Sequence, residues 1–282
     1  MEKLTLLITG ASGFVGSALS THFASRYRVI ALPREWTTLP EVDGIINLSG
    51  APINQNWSSS AKREIVSSRV GTTQKLVHQL LQKKKLPHFF LSASAIGYYG
   101  DRGEEALTEG SGPGFGFLPS VCTEWESASL PLEQQGIRRV LTRFGVVIGP
   151  GGIFQKLLPL ARLHLAGRLG SGDQWMSWIS IHDLAHAIDF IIQHPDLRGP
   201  INCTSPQPVR QKEFASALAQ ALRVPGQLPV PAYLIRLFLK DMGKELLLSS
   251  TKALPQKLLS ADFHFQEADI AAALHKAALT LK

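Results

Sequence analysis

Apolar and polar positions alternate in blocks through the first two-thirds of the chain. Each block has the length of a strand or the period of a helix. Leu4-Thr-Leu-Leu-Ile-Thr9 is a short apolar run. Gly10, Gly13 and Gly16 follow it, then an amphipathic stretch with Phe14, Val15, Leu19 and Phe23 on one side. The pattern predicts strand, tight turn and helix. Residues 27–32, 43–48, 88–94 and 140–148 read as further strands. Only ten residues, Pro33 and Pro40 among them, separate Leu32 from Asp43. A helix plus a strand does not fit there, so that crossover is expected to be abbreviated or missing. Ser58, Ser59 and Ser60 offer N-cap oxygens to a long helix with Val66, Val70, Thr73, Val77, Leu80 and Leu81 on one face. Another helix is expected over about 118–135. This alternation predicts an α/β, doubly wound parallel sheet, because parallel strands need helical crossovers.

Beyond residue 150 the rhythm loosens. Helices are expected at about 153–166, 183–194, 211–222, 231–248 and 266–278, with strand-like pieces at 175–181 and 200–204. This divides the chain into a main α/β domain over 1–205, with 150–182 contributing to a substrate lobe, and a small, mainly helical C-terminal lobe over 206–282. The segment 183–205 is expected to return to the main sheet. The stretch 231–248 is interrupted by Arg236, Lys240 and Asp241 and reads as an amphipathic helix packed on the body, not as a membrane segment.

Composition narrows the picture. The 282 residues are 44% apolar and 18% charged, the balance of a globular chain with ample core. Cys122 and Cys203 form no ligand or disulfide pattern, which suits a reducing, cytoplasmic setting and no metal. The net charge of +7 has no basic stripe with interleaved aromatics, so no nucleic-acid partner is expected. A phosphate-bearing small molecule is the simpler counterpart of that charge.

The first turn is where such a molecule would bind. The first N–H groups of a helix lack intrahelical partners, and the helix dipole is positive there. Gly10 lets the chain leave the strand sharply, Gly13 clears the way for a pyrophosphate, and Gly16 lets the helix lie close to the sheet. The alternative is a turn that needs glycines for backbone reasons alone. The second strand ends Ala31-Leu32-Pro33-Arg34, with no carboxylate at its tip and Glu35 next door. Arg34 offers a planar fork to a 2′-phosphate, so NADP(H) is expected over NAD(H); the alternative is a solvated surface arginine.

Five segments then agree in order: residues 9–16 (TGASGFVG), 43–52 (DGIINLSGAP), 92–100 (SASAIGYYG), 145–152 (GVVIGPGG) and 170–184 (GSGDQWMSWISIHDL). The chain resembles the atypical extended short-chain dehydrogenase/reductases, in the branch of epimerase family proteins, which also carry labels such as nucleoside-diphosphate-sugar epimerase or cell-division inhibitor. The resemblance implies a Rossmann domain that binds NADP through Gly10, Ser12, Gly13, Phe14, Val15, Gly16, Pro33, Arg34, Leu48, Ser49, Gly50, Glu64, Arg69 and Ser92. It also implies an oxidoreductase or epimerase acting on a carbonyl or sugar-nucleotide substrate, and a homodimer is compatible with it.

Members of that superfamily use a serine, a tyrosine and a lysine four residues after the tyrosine. Ser94 matches the serine. Leu118 falls at the tyrosine position and Cys122 at the lysine position. Tyr98 and Tyr99 are the candidate replacements, with Arg102 four residues after Tyr98, or else they pack structurally. Glu109 and Glu126 are acid–base candidates if they face the cleft. Trp175 and Trp178 either wall a substrate cleft or pack beneath a loop. Arg143 either meets a substrate anion or sits in an ion pair. The missing pair leaves a second reading open, a cofactor-binding sensor without appreciable turnover.

Overall fold

The computed structural model describes residues 3–224 and 228–280. The central feature is a six-stranded sheet. Its order is β10 (Gly199–Cys203), β6 (Arg138–Phe144), β4 (Phe89–Ala95), β3 (Gly44–Asn47), β1 (Thr5–Thr9) and β2 (Arg28–Ala31). The pairs β1–β2, β1–β3 and β3–β4 are parallel. The strands are short and continuously apolar because both faces are covered: Leu6, Leu7, Ile8, Ile45, Ile46, Phe90 and Leu91 are fully buried. Helices α1 (Phe14–Phe23), α2 (Ser59–Val66), α3 (Thr72–Leu81), α4 (Phe117–Ser127) and α5 (Leu130–Gln134) connect these strands along the chain. Between β2 and β3 no helix forms, and β3 pairs with β1, so the abbreviated crossover is what the chain contains.

The remaining elements run in order. They are β5 (Ala106–Leu107), β7 (Val146–Ile148), α6 (Gly152–Arg162), β8 (Trp175–Met176), β9 (Trp178–Ser180), α7 (Ile181–Gln193), β11 (Val209–Arg210), α8 (Gln211–Leu222), α9 (Ala232–Leu247), β12 (Lys252–Ala253), α10 (Gln256–Ser260) and α11 (Ile270–Leu279). The strand expected over 140–148 is two strands, β6 and β7, broken at Gly145. A Cβ at Gly145 would lie 2.9 Å from the Ser177 carbonyl. The 200–204 piece is β10, the edge of the main sheet, as expected for a segment that returns to it.

The chain forms two compact units interleaved along the sequence. The first is Met1–Ala95, Ser120–Arg143 and Ile188–Ile201; the second is Ile96–Pro119, Phe144–Ala187 and Asn202–Lys282. The first unit centres on a cluster with Leu7, Ile45, Leu76, Leu80 and Phe90. The second centres on Phe154, Trp178, Phe214, Leu218 and Leu274, with three two-stranded pairings, β7–β9, β8–β11 and β5–β12.

Candidate functional site

The site begins where β1 ends. Gly10 takes φ +66°, and a Cβ there would lie 2.9 Å from the Leu48 carbonyl oxygen. The Gly13 N–H donates to Gly10 O at 3.0 Å and closes the turn. A Cβ on Gly16 would fall 2.2 Å from Gly10 O, so glycine sets how closely α1 approaches the strand. Gly13 differs. It caps α1 in extended conformation with no side-chain acceptor, and a Cβ there would meet only Gly10 O, at 3.2 Å. Ser12 and Gly13 are exposed, and Phe14 and Val15 are half-buried. The start of α1 carries no acidic residue in its first turn. Its positive end is therefore open to an external anion instead of being neutralised by the protein.

The rim is built by three loops. Pro33 and Arg34 follow β2 and are exposed, and no ion pair among the described residues holds Arg34. After β3, the Leu48 N–H reaches Thr9 (3.1 Å to Oγ1), and Ser49 follows. Gly50 lies so close to Arg69 that a Cβ would meet the guanidinium at 3.1 Å. Arg69 itself sits in a π-helical turn, Ser67–Gly71, between α2 and α3. It donates to Ile65 O and Ala51 O, both at 3.1 Å, and lies over the Trp125 ring at 5.3 Å. Burial lowers its pKa. Arg69 thus fastens the 50–51 loop to the helix. Glu64 is exposed.

Beneath this rim lies a polar network that the sequence pattern did not single out. Fully buried Asn47 accepts from Thr9 Oγ1 at 2.7 Å and donates to Thr73 Oγ1 at 2.9 Å and Ser92 Oγ at 3.3 Å. The Trp125 indole also donates to Thr73 Oγ1, at 3.2 Å. These bonds tie the ends of β1, β3 and β4 to α3 and α4. The available signal was an asparagine ending the otherwise apolar Gly44-Ile-Ile-Asn47, since a buried amide is retained only where its bonds are met.

Around Ser94, at the end of β4, the protein supplies its own charges. Ser94 Oγ donates to Glu126 Oε1 at 2.7 Å. Arg143 forks onto the same carboxylate, Nε to Oε1 and Nη2 to Oε2, each at 2.8 Å. All three residues are 8% exposed or less. Arg143 is therefore engaged in an ion pair and not presented as a substrate anchor, and Glu126 is the partner of that pair. The Cys122 thiol lies beside them. Burial, reinforced by Glu126, pushes its pKa up to about 12, so it is a neutral thiol at physiological pH. It carries neither a positive charge nor thiolate reactivity.

The other candidates lie in the second unit, and most are structurally committed. Tyr99 is fully buried, its hydroxyl 2.7 Å from Asn202 Oδ1 and 3.0 Å from the Thr108 carbonyl. It is a packing residue and does not present its phenol to a substrate. Tyr98 is half-buried and packs edge-on against Tyr99 at 5.4 Å. Arg102 pairs with Glu105 at 2.7 Å. Glu109 accepts the backbone N–H groups of Asn202 and Lys257. Trp178 is a fully buried core residue whose indole donates to Gln207 O. Trp175 is half-buried. Arg210 lies 3.8 Å and Lys252 4.5 Å from its ring centroid, and its N–H is spent on Glu104. At Leu118 the Glu245 carboxylate accepts the backbone N–H groups of Phe117 and Leu118 at 3.0 and 2.8 Å and caps α4. Among the described residues no group of histidine, cysteine or carboxylate side chains could hold a metal ion.

A parallel sheet whose first glycine-rich turn opens a bare helix end defines a Rossmann-type nucleotide-binding fold. Comparison with known proteins gives the family. Residues 6–203 match the NAD dependent epimerase/dehydratase family and residues 230–277 match a domain of unknown function, DUF1731. The chain belongs to that epimerase/dehydratase family. The epimerase family protein Mb2239 of Mycobacterium bovis is 35% identical, covering 97% of each chain. The chloroplastic SDR39U1 homolog of Arabidopsis thaliana is 33% identical over 94% of this chain and 84% of its own. The human epimerase family protein SDR39U1, a crystal structure with NADPH, superposes with TM-score 0.92 at 28% identity, covering 99% of this chain and 100% of that one.

Proposed function

We propose that this chain binds NADP(H) on the turn between β1 and α1 and acts as an oxidoreductase or epimerase-like protein on a carbonyl or sugar-nucleotide substrate. The observation that carries the reading is the uncapped, exposed start of α1 behind Gly10, Gly13 and Gly16. Backbone N–H groups of residues 14–16 would hold the pyrophosphate, and Ser12 would close over it. Arg34 would meet the 2′-phosphate with a charge-assisted fork. The Leu48, Ser49 and Gly50 backbone, braced by Arg69, would form the wall beside the nucleotide, with Glu64 at its margin; Ser92 is fully buried and lies behind that wall in the Asn47 network. The NADPH in the human relative and the basic residue after β2 both support NADP(H) over NAD(H). When bound, the nicotinamide supplies hydride transfer.

Ser94 is the one member of the superfamily's catalytic set that this chain retains. Its hydroxyl already donates to Glu126, so Ser94 Oγ can only accept from a substrate hydroxyl, and the carboxylate holds that orientation. A second reading, a cofactor-binding sensor without appreciable turnover, is favoured by the apolar Leu118 and the neutral Cys122.

Titration of the purified protein with NADPH and NADH, followed by NADPH oxidation across carbonyls and by product analysis of sugar nucleotides for epimerisation, which consumes no net cofactor, tests both readings. At least about tenfold tighter binding of NADPH is expected, from a charge-assisted contact of roughly 1.5–3 kcal/mol. Equal affinity for the two cofactors removes the Arg34 assignment. Tight NADPH binding with no turnover on any substrate selects the sensor.

A further inference from the structure

One face of the second unit is not buried. Helix α9 buries Ile235 and Gly243 but leaves Tyr233, Leu237 and Phe238 exposed, at 67, 65 and 74%. Tyr233 and Leu237 stand one helical turn apart. Ahead of the helix, Leu228 donates its backbone N–H to His164 O, and Leu169 bridges Val230 in parallel. This knits the approach to α9 against residues 163–169, where Leu163 and Leu165 are also exposed. With Leu228, 58% exposed, six large apolar side chains from two segments therefore stand in water on adjoining backbone. The packed amphipathic helix expected over 231–248 is thus only half covered.

The charges on these segments are predominantly basic. Residues 152–170 contain Lys156, Arg162 and Arg168 and no carboxylate. Helix α9, which kinks at Lys240 (φ +46°), adds exposed Arg236 and Lys240, and Lys244 after the kink, against Asp241 and Glu245. Glu245 is already spent on the N–H groups of Phe117 and Leu118. We propose that this face docks peripherally on an anionic lipid surface, with the leucines and aromatics entering the headgroup region and the basic residues meeting lipid phosphates. Among the described residues no helix is long and apolar enough to cross a membrane, so the docking is superficial. A second copy of the chain fits this face poorly, because a two-fold contact would set one predominantly basic face against another. A rigid protein partner would need a pocket for each protruding side chain, whereas acyl chains adapt to them.

Co-sedimentation with vesicles of phosphatidylcholine, alone or mixed with phosphatidylglycerol, tests the docking. The wild-type protein is expected to pellet with the anionic vesicles and to stay in solution with the neutral ones. The double variant L237D/F238D is expected to lose at least about tenfold in partitioning. R236E/K244E is expected to lose about fivefold or more for each charge, and added salt should act in the same direction. These side chains are exposed, and an unchanged melting transition with retained NADPH binding reports that the variants are folded. Wild-type protein that ignores anionic vesicles overturns the proposal, as does L237D/F238D pelleting like the wild type. Two further results overturn it: a concentration-dependent dimer abolished by L237D/F238D without vesicle binding, and capture by polyglutamate without vesicle binding.

Discussion

At the end of β1 the chain leaves backbone N–H groups open behind exposed glycine and serine. At the end of β4 it surrounds Ser94 with its own carboxylate, guanidinium and thiol. Both strand ends belong to the same sheet, and both carry a residue type that the superfamily uses. The first presents positive potential that nothing internal neutralises, which is the condition for a tight anion site. The second has already met its charges internally. Its polar groups hold one another and have little left to spend on a substrate. Cofactor binding and catalysis are therefore different kinds of problem in this chain. The first depends on backbone shape, the second on which side chains remain uncommitted.

The comparison breaks most visibly at the ion pair. Arg143→Ala leaves the Glu126 carboxylate buried and unpaired, and a loss of about 3–5 kcal/mol in urea unfolding is expected. The double change E126L/R143M should be nearly neutral or stabilising, because it removes both charges together. A single variant that costs nothing would mean that the pair does not hold the end of β4.

Two glycine variants sharpen the other side. Gly16→Ala places a methyl group 2.2 Å from backbone oxygen and should destabilise the fold by about 1–3 kcal/mol. Gly13→Ala meets so little that its stability should change by less than about 1 kcal/mol. It should nevertheless weaken NADPH at least about tenfold, because the methyl group occupies the path of the pyrophosphate. Parallel melting and titration separate the two effects. If Gly13→Ala binds NADPH normally, the diphosphate does not sit on that turn. Arg34→Asp is expected to cost about tenfold in NADPH affinity while sparing NADH.

The smallest effect concerns the thiols. Burial raises the pKa of Cys122 to about 12 and that of Cys203 still higher. Neither thiol should react with a disulfide reagent at pH 8 in the native protein, and both should react once it is unfolded. An unfolded thiol ionises near pH 8.5 while the native one stays protonated. Their contribution to stability is therefore complete below that pH and is lost as the pH climbs toward 12. The loss is roughly 1 kcal/mol per thiol by pH 9.5. A fast-reacting native thiol would reopen a nucleophilic role for Cys122.

How much of this was legible varies from residue to residue. The glycine turn could be read because its conformation is encoded locally, in three missing side chains beside an apolar run. The abbreviated crossover could be read because ten residues cannot hold two elements. The fate of Arg143 could not. Its partner lies 17 residues earlier in the chain, on a helix, and only the packing of α4 against the sheet brings the two together. Tyr99 and Trp178 escaped for the same reason: Tyr99 meets a group 103 residues away, and Trp178 one 29 residues away. Asn47 stood in plain view as a polar end to an apolar strand, but its three partners come from three other elements.

The sequence by itself determined the order of strands and helices and the bare turn after β1, because periodicity and glycine placement act over a few neighbouring positions. Tertiary structure alone decided which polar side chains stay available: it paired Arg143 with Glu126, sealed Cys122 and Tyr99 in the interior and left one side of α9 uncovered. Desolvation and pairing depend on neighbours that arrive from distant parts of the chain, and no local pattern records them.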